Sequence, residues 1–323
     1  MLAAFWSLLA IAGAASAYSN PGPCTGNCLA HDPGFYQRKS DGKYFRFSTG
    51  GGITVTSADH LQGPWTYDGY VLPDGASVTT VGGNSSNLWA PDVHYDDGKY
   101  YLYYVVSGLG SRNSSIGVAV SDTMEVGSWT DHGAIGVETN SSSSYNAIDP
   151  NWITIGDKAY LNYGSYWQGL AQVEMKDSLS KLSSSPITNT EHNSTASIHF
   201  QEAPFEFEHD GYYYLFFSSG KAGSYDTNFP APGNEYKIMV CRSETGTGDF
   251  VDKNGVACTK NGGSIVLQTH GDVYAPGGQG VFNDTKLGPV LYYHYANRTG
   301  SLAVKDFQFG YNRLSWTGGW PSV

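Results

Sequence analysis

"EAPFEFEHDGYYYLFF" (residues 202–217) divides at Asp210-Gly211. Residues 212–217 are aromatic and apolar, and residues 205–208 before the turn alternate apolar and charged. Asp-Gly between two such runs is a strong short-range hairpin signal. The start of this hairpin is unusual. Glu202 stands directly before Ala203-Pro204, at the mouth of a strand about to be buried. Whether that arrangement recurs along the chain decides the fold.

It does recur. Turns of the same kind occur in "KSDGKYFRF" (39–47), "YDDGKYYLYY" (95–104), "IGDKAYLNYG" (155–164) and, less cleanly, "FNDTKLGPVLYYHY" (282–295). Upstream of the five turns stand Pro33, Pro91, Pro150, Pro204 and Pro276, spaced by 58, 59, 54 and 72 residues. Several short strands per unit, repeating every 50 residues or more, predict a β-propeller. Five units give a five-bladed one, with four strands per blade. Aromatics at 14% and 41 glycines suit aromatic strands joined by glycine turns. No window keeps a 3.6-residue apolar period, so no major helix is expected. Ser-rich 140–146 and 181–190 read as linkers between blades. The units consume residues 18–323, leaving one domain.

In a propeller the innermost strands begin at one end of a central funnel, so the prolines serve as a register. One residue before them stand Asp32, Ala90, Asp149, Ala203 and Ala275; two before stand His31, Trp89, Ile148, Glu202 and Tyr274. Of 29 acidic residues the register selects three, Asp32, Asp149 and Glu202, and it adds two large aromatics, Trp89 and Tyr274. Carboxyls and aromatic faces converging on a funnel suit a sugar. Two carboxyls across a glycosidic bond act as acid and base. A third nearby raises the acid's pKa by like-charge repulsion. Three carboxylates could also hold calcium, but acids spread around an axis leave an open centre better suited to substrate. Trp89 and Tyr274 are read as sugar-stacking, substrate-binding platforms, with core aromatics as the alternative. Asp92, one residue past Pro91, reads as a structural acceptor inside its strand, and Asp41, Asp96, Asp97 and Asp210 read as turn residues.

A net charge of −11 argues against nucleic acid and against an anionic membrane surface. Residues 1–17 carry an apolar run ending in Ala15-Ser16-Ala17 and read as a secretory signal, too short for a membrane span of about 20 residues. Six Asn-x-Ser/Thr sequons, at Asn84, Asn113, Asn140, Asn193, Asn283 and Asn297, agree with secretion. Four cysteines allow three pairings. Cys24 with Cys28 and Cys241 with Cys258 are closest in sequence, and that set is expected in an oxidising compartment. No His or second Cys pair stands at zinc spacing. A monomer is expected.

The motifs "HDPGF" (31–35), "WAPDV" (89–93), "AIDPNW" (147–152), "YGSYW" (163–167), "EAPF" (202–205) and "YYHYA" (292–296) together resemble glycoside hydrolase family 43, in particular its fungal endo-1,5-α-L-arabinanases. The resemblance covers almost the whole chain beyond residue 17. It implies an inverting enzyme acting on arabinan, with Asp32 as general base, Glu202 as general acid and Asp149 as the carboxylate that tunes and orients the acid. It also implies substrate contacts at Asn146 and Ser165, and a calcium ion beside His294. The fifth unit departs from many relatives, with Gly278 where they carry a histidine. An exo-acting arabinofuranosidase or β-xylosidase would share the chemistry and differ in funnel shape. A propeller lectin would repeat one binding set in every blade, whereas these units differ at the register.

Overall fold

The computed structural model describes residues 18–195 and 200–323. The proposed signal, residues 1–17, lies outside them. Five antiparallel sheets stand in a ring as the blades of a propeller. Blade 1 runs β1 (Gly34–Gln37), β2 (Tyr44–Ser48), β3 (Thr54–Ala58) and β4 (Thr66–Tyr70). Blade 2 runs β5 (Trp89–Asp96), β6 (Lys99–Val106), β7 (Ser114–Ser121) and β8 (Thr130–Thr139). Blade 3 comprises β9 (Asn151–Ile155), β10 (Lys158–Tyr163), β11 (Leu170–Asp177) and, as a broken outer edge, β12 (Ser180–Lys181) and β13 (Thr188–Glu191), which both pair with β11. Blade 4 runs β14 (Gln201–His209), β15 (Tyr212–Ser219), β16 (Lys237–Ser243) and β17 (Ser264–Leu267). Blade 5 has three strands, β18 (Val273–Asp284), β19 (Gly288–Asn297) and β20 (Gln308–Arg313). A hairpin of β21 (Ser315–Thr317) and β22 (Trp320–Ser322) ends the chain. Among the described residues the only helical elements are two one-turn 3-10 segments, Cys258–Lys260 and Val304–Asp306.

The turns of blades 2 and 4 behave as read, whereas in blade 1 Gln37 pairs with Tyr44 across a longer loop. At Asp97-Gly98 and Asp210-Gly211 both residues have positive φ (42° and 83°; 50° and 78°), the primed-turn geometry that matches strand twist. The expectation of four strands in every blade is corrected at two places. Blade 3 splits its outer strand, and blade 5 lacks a fourth of its own. The N-terminal segment stands in for it. Gly22 N donates to Tyr311 O, Phe309 N to Cys28 O and Ala30 N to Phe307 O, at 2.7–2.9 Å. This closes the ring non-locally by covering the outer edge of β20. The disulfides pair as expected, Cys24–Cys28 within this closing segment and Cys241–Cys258 on blade 4.

Neighbouring blades are pinned by polar side chains just past the register prolines. Asp92 Oδ2 accepts from Trp152 N at 2.8 Å, and Asn151 Oδ1 accepts from Glu206 N at 2.8 Å. Asp92 is thus the structural acceptor anticipated, and burial lifts its carboxyl to about 7. Glu206 is held in turn by Asn162 and Gln172, each 2.9 Å from Oε2, which ties blade 3 to blade 4 beneath the funnel.

Candidate active site

All five residues that precede the register prolines have left-handed backbones: φ is 44° at Asp32, 37° at Ala90, 55° at Asp149, 54° at Ala203 and 52° at Ala275. Such a φ in a non-glycine residue is costly and persists only where surrounding structure enforces it. Here each forms a kink at the start of an inner strand. In blades 2, 4 and 5 the ladder breaks register across it, between Trp89 and Asp92, Glu202 and Phe205, and Tyr274 and Gly277. A broken ladder frees the N–H before the proline for a side chain. Asp32 N donates to His294 Nδ1 (3.1 Å), Ala90 N to Thr49 Oγ1 (2.8 Å), Ala203 N to Asp149 Oδ2 (3.0 Å) and Ala275 N to Thr269 Oγ1 (3.1 Å). The kinks therefore connect one blade to the next, and the acidic residues are part of that connection.

Asp32 and Asp149 both line an axial cavity of about 40 Å³, together with Asp92, Phe205, Gln279 and Tyr292. That volume suits a water or a small ion. Thr49 Oγ1 donates to Asp32 Oδ2 at 3.1 Å while accepting from Ala90, so it fixes this carboxyl against the second blade. His31 Nε2 lies 3.5 Å from Asp32 Oδ2 and His294 Nδ1 lies 3.4 Å from Oδ1. Gly278 closes the other side. A Cβ there would come 2.7 Å from both Asp32 Oδ1 and the His294 ring, and its φ is +56°, so no side chain fits.

Glu202 is held at both oxygens. Ser165 Oγ donates to Oε2 at 2.7 Å and Tyr236 OH to Oε1 at 2.8 Å. Both acids keep some exposed surface, yet their carboxyls lie deep among protein atoms, and depth governs their ionisation. Burial raises Asp149 well above the usual carboxylate range, with the Glu202 and Asp32 charges adding to it. Glu202 is also raised, first by burial, with the two hydroxyl donors opposing and Asp32 reinforcing. Asp149 receives one backbone N–H where Glu202 receives two hydroxyls. The pair therefore holds a proton at pH values where a free carboxyl has lost it.

The remaining expected residues divide. Ser165 is buried and serves Glu202 rather than an open subsite. Asn146 is buried, and its Oδ1 accepts from Ser114 Oγ at 2.6 Å. Trp89 is half-buried at the start of β5 and packs against the core shared by blades 2 and 3. Tyr274 corrects the expectation of a sugar platform. It is 2% exposed, edge-on to Tyr225 at 5.1 Å and covered by Phe229 at 5.0 Å. Phe229 is the exposed ring of that stack, at 59%, on the loop between β15 and β16 at the funnel's end. Sequence reading missed Phe229, Tyr236 and Thr49. "NFPAPG" (228–233), a phenylalanine between polar and proline residues, was the available signal for the first.

His31, Asp32 and His294 offer ligand atoms within 4.8 Å of one another. Calcium takes six to eight oxygens, and one carboxylate with two imidazoles is not such a cage. Because His294 Nδ1 accepts from Asp32 N, its proton sits on Nε2, which is buried without a partner among the described residues. Burial holds the ring at about 3, so it is neutral. The unpaired Nε2–H of His294 leaves one buried donor beside this group for a water to fill.

The sequence of residues 26–321 matches the family model Glycosyl hydrolases family 43. The chain is 61% identical over 98% of both lengths to an Aspergillus niger protein named "Probable arabinan endo-1,5-alpha-L-arabinosidase C", and 60% identical over 96% of both to its Aspergillus clavatus counterpart. Among solved structures, Bacillus subtilis arabinanase Arb43A superposes with a TM-score of 0.78 at 29% identity, covering 92% of this chain and 98% of that one. Cellvibrio cellulosa alpha-L-arabinanase complexed with arabinohexaose gives 0.77 at 27%, covering 91% and 95%. An exo-1,5-alpha-L-arabinanase from a bovine ruminal metagenomic library gives 0.79 at 26%, covering 91% and 96%. With its five-bladed ring and axial carboxyls, the chain belongs to glycosyl hydrolases family 43.

Proposed function

We propose that the protein is a secreted endo-1,5-α-L-arabinanase that cleaves internal bonds of arabinan with inversion. Asp32 acts as general base, Glu202 as general acid, and Asp149 orients the acid and raises its pKa. The observation that carries this reading is the convergence of the three carboxyls at kinked strand starts, with Glu202 gripped by two hydroxyls and carrying a raised pKa. Glu202 then protonates the leaving oxygen while Asp32, fixed by Thr49 and flanked by His31 and His294, takes a proton from the attacking water. The kinks hold these groups before substrate arrives, so little reorganisation is left for the reaction. Endo action is supported by the similarity to the Aspergillus proteins named for it. The exo-acting ruminal structure has the same fold, so the test is the product series. Linear arabinan sampled early is expected to yield a ladder of oligosaccharides, with proton NMR detecting the inverted anomer first. Arabinose alone from the first minutes would refute the endo reading.

Phe229 and Trp89 are proposed as sugar platforms at the rim. Phe229→Ala removes an exposed ring and is expected to raise KM on arabinan roughly 5–10-fold, about 1 kcal/mol, without moving the melting temperature. Trp89→Ala is expected to weaken binding and also lower the melting temperature, because that ring is partly core. Unchanged KM in Phe229→Ala would remove it from the substrate path.

Calcium is proposed beside His294, held through water. Exhaustive chelation is expected to lower activity and thermal stability together, and added calcium to restore both. Unaltered activity and melting after chelation would exclude that role.

A further inference from the structure

We propose that Asn84, Asn140 and Asn297 carry N-linked glycans, that Asn113 and Asn283 do not, and that the three glycans stand on the catalytic face. At each of the three, the asparagine Oδ1 accepts the backbone N–H of the Ser or Thr two residues on: Ser86 at 2.9 Å, Ser142 at 2.9 Å and Thr299 at 3.0 Å. At Asn140 and Asn297 the hydroxyl of that residue also donates to Oδ1, at 2.6 and 2.8 Å. This closed Asx turn brings the required hydroxyl onto the amide that is to be modified. Glycan transfer needs that hydroxyl close to the asparagine amide. In the transfer, Asn Nδ2 bonds to the sugar C1 of a lipid-pyrophosphate-linked oligosaccharide. The C1–O bond to pyrophosphate breaks, the lipid pyrophosphate leaves, and the amide gives up one proton.

The two excluded sequons lack the turn. Asn113 leads straight into β7, where Ser114 and Ser115 are buried and the Ser115 hydroxyl donates to Glu138 Oε1 at 3.2 Å instead. Asn283 lies within β18 opposite Pro289, and Thr285 N donates to Gln37 Oε1 at 3.2 Å. Asn193 has the turn but stands beside residues 196–199, which are not described, and is left out of the proposal.

Strand direction sets the face. Inner strands start at the funnel's catalytic end, so the connectors before them lie there too. Asn84 precedes Trp89 in one connector, and Asn140 follows β8 in the connector that leads to Asp149. Asn297 ends β19 as the register partner of Val273, next to Tyr274 and Ala275. Asn283 is at the opposite end. The β15–β16 loop that bears Phe229 contains no sequon, which leaves that sector of the rim open to a polymer.

The proposal rests on the secretory reading, and the test separates the two. The chain is expressed in yeast behind its own residues 1–17 and, in parallel, behind an established secretion signal replacing them. Purified protein is treated with a glycan-releasing amidase in 18O water and its peptides are analysed by mass spectrometry. Label at Asn84, Asn140 and Asn297, with none at Asn113 or Asn283, is expected. Substituting the three together (N84Q, N140Q and N297Q) should remove three steps of gel mobility, and N113Q or N283Q none. Label at Asn113 or Asn283, or a bare site among the three, behind the established signal overturns the assignment. Export behind the established signal only would count against residues 1–17 as a leader while leaving the glycan assignment to be judged on that protein.

Discussion

Asp32→Ala is expected to lose several orders of magnitude in kcat on both arabinan and an activated aryl arabinoside, while Glu202→Ala loses that much on arabinan only. The difference follows from the leaving group. Departure of a sugar alkoxide needs a proton as the bond breaks, and a nitrophenolate does not. Water must be activated in both reactions. Wild-type turnover of the aryl substrate, measured first, establishes that it binds productively. The pH profile adds a second reading. Glu202 and Asp149 are both lifted by burial and by neighbouring charge, so the last proton leaves this pair against the charge already formed on the other carboxyl. Asp149→Asn cannot form that charge. The alkaline limb of kcat is therefore expected to move to lower pH, with a fall in kcat smaller than for Glu202→Ala on arabinan. Equal losses for Asp32→Ala and Glu202→Ala on both substrates would leave the two roles without support. Recovery of Asp32→Ala alone on the aryl substrate would reverse them.

The proline register was legible because each blade spends the same two residues on one kink, a left-handed residue followed by proline, at the same depth. Depth is not direction. Two residues before the prolines, Glu202 and Trp89 keep exposed surface while Ile148 and Tyr274 are 8% and 2% exposed. Identical register positions thus gave a catalytic candidate in one blade and a core ring in another, and Tyr274 was misread for that reason. Tyr236 and Thr49 reach the carboxyls from strands and loops whose local sequence carries no signal. Tyr236 follows a loop of polar, glycine and proline residues, and its path to Glu202 exists only because Gly277 has no side chain. A Cβ there would lie 2.0 Å from the Tyr236 ring. The ring closure was hidden for a related cause. Residues 22–30 complete a blade whose own strands lie some 280 residues further along, a pairing no local pattern encodes.

That closure sets up the second large effect. Arg46, on β2, is fully buried, with its guanidinium 4.8 Å from the centre of the Trp65 ring and 4.7 Å from that of Phe309. Its Nη2 donates to Asn27 O at 2.7 Å and Leu29 O at 3.2 Å. Those two carbonyls belong to the segment that completes blade 5, and three residues further on stands Asp32. One buried cation thus joins the first blade, the last blade and the backbone leading to the proposed base. The guanidinium keeps its charge at neutral pH, and the two rings and two carbonyls compensate part of its lost hydration. Arg46→Ala removes the donor, leaves both carbonyls unpaired and opens a cavity between the rings, each a recognised source of large destabilisation. A loss of about 3–5 kcal/mol is expected, which for a domain of this size lowers the melting temperature by roughly 5–8 °C. Arg46→Met refills the space without the donors and should recover part of that stability. Well below either melting point, both variants are expected to show reduced kcat with KM little altered, because the displaced segment carries Asp32 rather than the rim aromatics. A variant that melts early but turns over at the wild-type rate would confine Arg46 to closing the ring and separate that closure from the placement of the base.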